Sequence, residues 1–494
     1  MIEALARHWV AVLLLGGYLV FLLFNARRGS ADSRVIADYF VGGRRLSGWV
    51  VGVSFCATFA STNSYVGHAG KGYTLGAPWL LFPLFMVFFT WLSWTTVAPR
   101  LREFTARLDA LTLPDYLARR YASVAVGRVA AVIVLFASVL YLIAIFKGAG
   151  NVLQLFLGVE YALAVLVTLL IVVAYTSIGG FLSVARTDVV QGAMMLLGSL
   201  LIGYFVLSRA IELSGQQSGD PSGSATLIGA VANLSKDVRV APLMDWNAGL
   251  PFAVLIGVFL SGSLKLMVDP RQVSRFFSLA DQRAVRTGML VALVTLLLIQ
   301  LGLFPVGLLA HLFFTQVDDT DMIMPMLLQR EDVFPFWAGD LLLVAIISAA
   351  MSSMDSVLLV AASVLSRDLL RVRDAQGIRV TRLAIVGLAV VSALFALRPP
   401  GDIVAITIFS GSLYAACFLP VLLLSLHWSR GHARAVLGSM LTGLVVLVVW
   451  ISSAAASVVH EVFPALVASA VVYVALSLLW PAPQPGAAEL VEHR

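Results

Sequence analysis

About thirteen stretches of roughly twenty apolar residues, joined by short polar segments, dominate this chain, and few folds can absorb them. They lie near 8–25, 46–70, 78–98, 126–157, 160–178, 187–208, 248–268, 285–314, 336–366, 380–397, 402–427, 433–453 and 461–480. Hydrophobic residues make up 60% of the 494 and charged residues only 12%, about half the charge of a soluble domain. A soluble core has no room for so much apolar surface, so lipid must solvate most of it. The expectation is an all-α polytopic membrane protein. Cys56 and Cys417, the two cysteines, both sit inside apolar runs and read as core residues, not as a disulfide or metal set. No CxxC, HExxH, phosphate-binding or dinucleotide-binding glycine pattern is present, which leaves soluble-enzyme chemistry without a carrier.

The net charge of +6 could suggest nucleic acid, but its placement favours cytoplasmic loops, and no nucleic-acid partner is expected. Arg27, Arg28, Arg34, Arg44 and Arg45 follow the first span, and Arg100, Arg102, Arg107, Arg119 and Arg120 the third. Arg271, Arg275, Arg283 and Arg286 follow the seventh; Arg367, Arg371, Arg373, Arg379 and Arg382 follow the ninth. The loops between are neutral or acidic, as at Asp318, Asp319 and Asp321. Basic loops face the cytoplasm, so the N-terminus is expected outside and the C-terminus inside, in the plasma (inner) membrane. The first apolar run lacks a small-residue cleavage site and reads as an uncleaved span. Two long external loops, 210–247 and 315–335, and a cytoplasmic tail at 481–494 complete the layout. Residues 1–480 read as one transporter unit.

Polar groups inside spans are costly and therefore candidates for function. The richest set is Ser348 to Ser356. On a helix, Ala349, Ser352, Ser353 and Ser356 share one face, with Asp355 a turn beyond Ser352. Hydroxyls, a carboxylate and carbonyls freed at a helix break are what a hard cation needs to replace its water. The alternative is that these serines are small residues for helix packing. A second cluster, Ala57 to Ser64, implies an interrupted helix at mid-membrane, where irregular backbone survives only beside a cavity. A third, Ser261-Gly262-Ser263, lies five spans later, and paired interruptions in two halves mark transporter sites. Asp188 reads either as an interfacial partner of Arg186 or as an ion or proton relay. Lys147 and Lys265 either extend to the interface or anchor a carboxylate. His68 and Lys71 read as vestibule residues.

The chain resembles the sodium:solute symporter family. The resemblance rests on Asp38 to Leu46, on Gly179-Gly180 through Thr187-Asp188-Val189-Val190-Gln191, on Pro270 to Phe276, and on Ala350 to Ser356 running on to Arg367-Asp368. It implies a LeuT-like fold with two inverted five-helix repeats, about 46–208 and 248–427, and the second and seventh spans broken. It implies a sodium ion held by the carbonyls of Ala57, Ala60 and Ala349 and the hydroxyls of Ser352 and Ser353. It also implies a second cation or proton site at Asp188 with Ser352, Asp355 and Ser356. A carboxylate at the Asp355 position departs from the family pattern, and two carboxylates in low dielectric require a cation or proton between them.

The Pro270 segment is closer to the proline and pantothenate branch than to sugar carriers. With Lys265 and Lys147 it favours an organic carboxylate or amino acid as the small-molecule solute. Pocket candidates on the broken helices and the facing eleventh span are Ser61, Thr62, Asn63, Ser64, Ser263, Phe409 and Ser410. The competing classes are a proton-coupled carrier of the same fold, a transporter-like sensor, disfavoured by the short tail, and a membrane enzyme, for which the scattered histidines supply no site.

Overall fold

The computed structural model describes residues 8–32, 36–218, 226–246, 249–372 and 376–480. The expected tail at 481–494, the loop residues 219–225, and Arg34 and Arg373 lie outside the described residues. The helices are α1 (Trp9–Asp32), α2 (Ile36–Val41), α3 (Gly48–Phe59), α4 (His68–Leu75), α5 (Phe82–Leu92), α6 (Ala98–Arg107) and α7 (Leu113–Arg120). Next come α8 (Val124–Leu157), α9 (Tyr161–Gly179), α10 (Phe181–Ser218), α11 (Leu227–Leu234), α12 (Phe252–Val268) and α13 (Pro270–Phe277). The chain then continues through α14 (Gln282–Leu309), α15 (Ile323–Leu328), α16 (Phe336–Val364), α17 (Gln376–Ala396), α18 (Ile403–His427), α19 (Ala433–Ile451) and α20 (Val462–Leu479).

Among the described residues, 12 helical segments are long and apolar enough to cross a membrane. The remaining expected crossing is the interrupted one: α3 is too short alone, and α4 continues it beyond the break. Large apolar side chains such as Leu13, Leu84, Leu170, Leu290, Leu394 and Val467 point outward, a surface only lipid can cover. Inside the bundle, α16 and α18 are buried on nearly every face. They pack against α8, and α3 is wedged between α10, α14 and α16. Small residues permit this wedge: a Cβ on Gly48 would lie 2.1 Å from the Ala284 carbonyl oxygen, so the two backbones touch.

The structure departs from two expectations. The second discontinuity is not at Ser261–Ser263, which lie within the continuous α12; it falls at Asp269, whose φ of −60° and ψ of 122° leave the helix. Asp269 then caps α13 by accepting the Arg271 N–H at 2.9 Å, and Pro270 occupies the first turn. Consequently Arg271 and Arg275 do not belong to a basic loop. Both are buried on α13, at 3% and 1% exposure. Backbone bonds from Leu46 N–H to Ser278 O (2.9 Å) and from Ala280 N–H to Leu46 O (3.1 Å) tie the end of this arm to the entry of α3.

Candidate cation and solute site

The first break begins where Ala60 turns extended (φ −67°, ψ 115°). The Ser61 N–H points to Ser64 Oγ (3.4 Å), and Ser61 Oγ accepts the Asn63 N–H (3.1 Å), restarting the helix through the wide turn Asn63–Gly67. The carbonyls of Ala57, Thr58 and Ala60 thereby become available to side chains. A buried carbonyl without a partner costs about 1–3 kcal/mol, and α16 provides the partners. Ser352 Oγ lies 3.0 Å from Ala57 O, and Ser353 Oγ lies 3.1 Å from Thr58 O and 3.2 Å from Ala60 O. Ala349, one turn earlier, is fully buried. Ser352 Oγ is also 2.6 Å from Asp188 Oδ1. A hydroxyl has one hydrogen, so Ser352 donates to Ala57 O or to Asp188 at any moment; donating to Asp188 leaves both the Ala57 carbonyl and the hydroxyl lone pairs open to a cation.

Asp188 is not partnered by Arg186, which is exposed. Its Oδ2 accepts Ser54 Oγ at 2.5 Å and Arg275 Nη2 at 3.0 Å. Arg275 also donates from Nη2 to Thr58 Oγ1 (2.7 Å) and Ser356 Oγ (2.6 Å), and from Nε to Ser54 Oγ (3.2 Å). Ser356 Oγ reaches Asp355 Oδ1 at 3.3 Å, and the Tyr175 hydroxyl approaches Asp355 Oδ2 at the same distance. The expected group of Asp188, Ser352, Asp355 and Ser356 is thus brought together, with a guanidinium in its midst. Ser54, Thr58, Tyr175 and Arg275 were absent from the sequence-based set. The signal for Arg275 was present: Asp-Pro begins a helix, and Arg271 and Arg275, four apart, share one face of it.

The solute candidates divide. Lys265 Nζ lies 5.8 Å from the Phe59 ring and 5.7 Å from the Tyr141 ring, is buried, and has no ion-pair partner among the described residues. The Tyr141 hydroxyl donates to Ser61 Oγ (3.1 Å), while Arg271 stacks 3.6 Å above the Tyr141 ring and is neutralised by Asp269. Thr62 Oγ1, Asn63 Oδ1 and Ser263 Oγ are buried without hydrogen-bond partners. Ser64 serves the break itself.

Three others point elsewhere. Ser410 Oγ donates to Ala137 O (3.1 Å). Phe409 lines a cavity of about 640 Å³ together with Lys71, Trp79, Val254 and Glu461. Lys147 is committed to Asp321 at 2.6 Å, whose Oδ2 also accepts the Ile403 N–H (3.1 Å). Burial raises the Asp321 carboxyl above the usual carboxylate range, and Lys147 opposes that rise. Lys71 pairs with Asp402 at 3.0 Å.

Known proteins resemble this chain in sequence and in fold. A transporter of Bacillus subtilis (strain 168), the osmoregulated proline transporter OpuE, is 28% identical over 97% of this chain and 94% of its own length. The sodium/pantothenate symporter of Haemophilus influenzae (strain ATCC 51907 / DSM 11121 / KW20 / Rd) is 26% identical over 83% of each chain. The fold matches a Na+-coupled sialic acid symporter, solved substrate-bound and outward-open, with a TM-score of 0.79 at 19% identity over 97% of this chain and 99% of the other. A nucleobase-cation-symport-1 family transporter in a closed conformation follows at 0.58, with 12% identity over 92% and 97%. The architecture is therefore LeuT-like. The sodium:solute symporter family model matches residues 39–443, and its members are carriers, not enzymes: this integral, multi-pass chain belongs to the sodium:solute symporter family.

Proposed function

We propose that this carrier couples one inward step of sodium to uptake of a small solute bearing a carboxylate, by alternating access. The observation that carries the sodium site is the contact of the Ser352 and Ser353 hydroxyls with the carbonyls freed by the first break, at 3.0–3.2 Å. In this reading the ion takes the carbonyls of Ala57, Ala60 and Ala349 and both hydroxyls. Thr58 O is a further neighbour. Sodium then bridges α16 to the broken helix and stabilises the form that binds solute, which is a reciprocal coupling. One charge moving down about 100 mV supplies ~2.3 kcal/mol.

The solute lies between the first break and α12. The unpartnered Lys265 amine meets its carboxylate, and Thr62, Asn63 and Ser263 supply hydrogen bonds. Proline and pantothenate, which the relatives' names give as their solutes, both carry a carboxylate, and this supports the assignment. Lys147, Phe409 and Ser410 stand outside this pocket. The transporter unit spans 1–480, with repeats about 46–208 and 248–427. The end bearing Arg100, Arg283 and Arg367 faces the cytoplasm, with the N-terminus outside and the plasma (inner) membrane as the location.

Uptake into proteoliposomes tests this reading, with and without an inward sodium gradient, using proline, pantothenate, other carboxylates and sugars. Uptake of a carboxylate that requires the gradient is expected. Equal uptake without sodium for every transported solute would sink the assignment.

A further inference from the structure

At the basic end of the bundle a cavity of about 210 Å³ opens beside the start of α8. Arg119, Arg367 and Arg371 line it, with Asp115, Asp368 and Ser123. The carboxylates are already engaged. Asp115 accepts Arg119 Nε–H at 2.8 Å and the Leu111 N–H at 3.2 Å, and Asp368 accepts the Thr112 hydroxyl at 2.7 Å. Three guanidinium groups against two carboxylates leave the cavity with positive charge in excess. Arg371 is exposed and has no ion-pair partner among the described residues. Its backbone is left-handed, with φ 59°, a conformation that residues other than glycine rarely adopt. Ser123 Oγ accepts the Val126 N–H at 3.4 Å, so its own hydrogen remains to be donated.

The helix face that leads away from the cavity is apolar. Val124, which lines the cavity, is followed on the same face of α8 by Arg128, Val132 and Phe136, each four residues on and each exposed. From Val124 to Phe136 the helix rises roughly 18 Å, close to the depth of one leaflet's hydrocarbon, about 15 Å. Leu370, next to Arg371 in the chain, is exposed as well. A cationic cavity above an apolar strip of that length matches the two ends of a phospholipid: a phosphodiester for the arginines and an acyl chain for the strip.

We propose that this cavity and strip form a site for one anionic phospholipid. Its phosphodiester lies against Arg371, Arg119 and the Ser123 hydroxyl, and its acyl chain covers Val132 and Phe136. Arg128, one turn deeper than Val124, extends its guanidinium back to the same phosphate. Charge selects the lipid: a zwitterionic headgroup brings its own ammonium and gains less from the excess positive charge. Free phosphate shares the anion but leaves Val132 and Phe136 bare. None of these residues belongs to the proposed ion or solute positions, so the site stands whether or not the sodium reading does.

Native mass spectrometry of the purified, full-length protein tests this, after release from vesicles of equal parts phosphatidylglycerol and phosphatidylcholine. The wild type is expected to retain phosphatidylglycerol in preference, and titration with each lipid gives its Kd. Arg128→Gln with Arg371→Gln is expected to raise the Kd for phosphatidylglycerol about thirtyfold. Both side chains are exposed, so the unfolding temperature is expected to stay unchanged. Val132→Ser with Phe136→Ser removes the strip and is expected to weaken phosphatidylglycerol too. Arg283→Gln, at an exposed arginine of α14 on the same end, is expected to leave the Kd within about twofold. Excess inorganic phosphate is expected not to displace the lipid. Equal affinity for the two lipids overturns the proposal, as does an Arg283→Gln effect as large as that of the double variant. Displacement by phosphate, with no effect of Val132→Ser and Phe136→Ser, overturns it in favour of a simple anion site.

Discussion

The two helix breaks, at Ala60 and at Asp269, solve the same problem in opposite ways. At Ala60 the break is uncharged: three carbonyls turn aside and are met by the hydroxyls of Ser352 and Ser353. At Asp269 the chain supplies its own charges, with Asp269 capping α13 and bonding Arg271, and with Arg275 carried on to Asp188. Neutral ligands with small, rotatable hydrogens can admit and release an ion. A guanidinium held by four oxygen partners cannot easily leave. The first break is suited to exchange and the second to permanence.

The sharpest way to break this contrast is to remove the partner of the permanent charge. Asp188→Ala leaves the buried Arg275 without its carboxylate, and a loss of about 3–5 kcal/mol in stability is expected. Thermal unfolding in detergent measures it. Asp188→Ala combined with Arg275→Met removes both charges and is expected to recover most of the loss. No recovery would mean that the pair is not the source of the cost.

The exchangeable break should respond in function and less in stability. Ser352→Ala with Ser353→Ala removes two hydroxyl ligands at about 1.5 kcal/mol each, so the sodium concentration for half-maximal uptake is expected to rise about a hundredfold. The unfolding temperature is expected to fall less than for Asp188→Ala. An unchanged sodium requirement would remove these serines from the site.

How far the sequence revealed this contrast follows from the kind of signal each break leaves. The first is legible because Ser61, Thr62, Asn63 and Ser64 interrupt an apolar run, and polar residues at that depth need a reason. The serine pair on α16 is legible for the same cause. The second break was misplaced because Ser261 and Ser263 gave the same type of signal, yet they are accommodated inside α12: Ser261 Oγ is 2.8 Å from Ser412 Oγ. Asp269, Arg271 and Arg275 look like a cytoplasmic loop because charge counting cannot tell a solvated arginine from a buried one neutralised by a neighbouring carboxylate, as Arg271 is by Asp269, or by a distant one, as Arg275 is by Asp188. Arg275 meets Asp188 across 87 positions of sequence, and no local pattern encodes that pairing. Lys147 misled likewise, since its partner Asp321 is 174 positions away.

Lys265 lies between the two breaks and tests whether the pocket belongs to either. Its replacement by Met removes the cation facing the solute and leaves the serines and Arg275 in place. Loss of a charge-assisted contact of about 1.5–2 kcal/mol is expected to raise KM for a carboxylate solute about tenfold to thirtyfold. The sodium requirement measured without solute is expected to change less than twofold. A parallel rise in both would place Lys265 in the ion site instead.

The smallest effect is expected at Lys147, which tests whether any buried ion pair behaves like Arg275–Asp188. Lys147→Met leaves Asp321 buried, but that carboxylate keeps the Ile403 N–H and can take up a proton, because burial has raised its titration above the ordinary carboxylate value. The expected loss is therefore only about 1–2 kcal/mol at neutral pH, seen as a modest fall in unfolding temperature, with sodium binding unchanged. The sign with pH follows from the raised carboxyl. The wild-type pair is intact above that value and is lost as pH falls through it. The gap between the wild type and Lys147→Met is then expected to narrow as the pH is lowered. A gap that widens on acidification would show that Asp321 is not the group whose charge Lys147 balances.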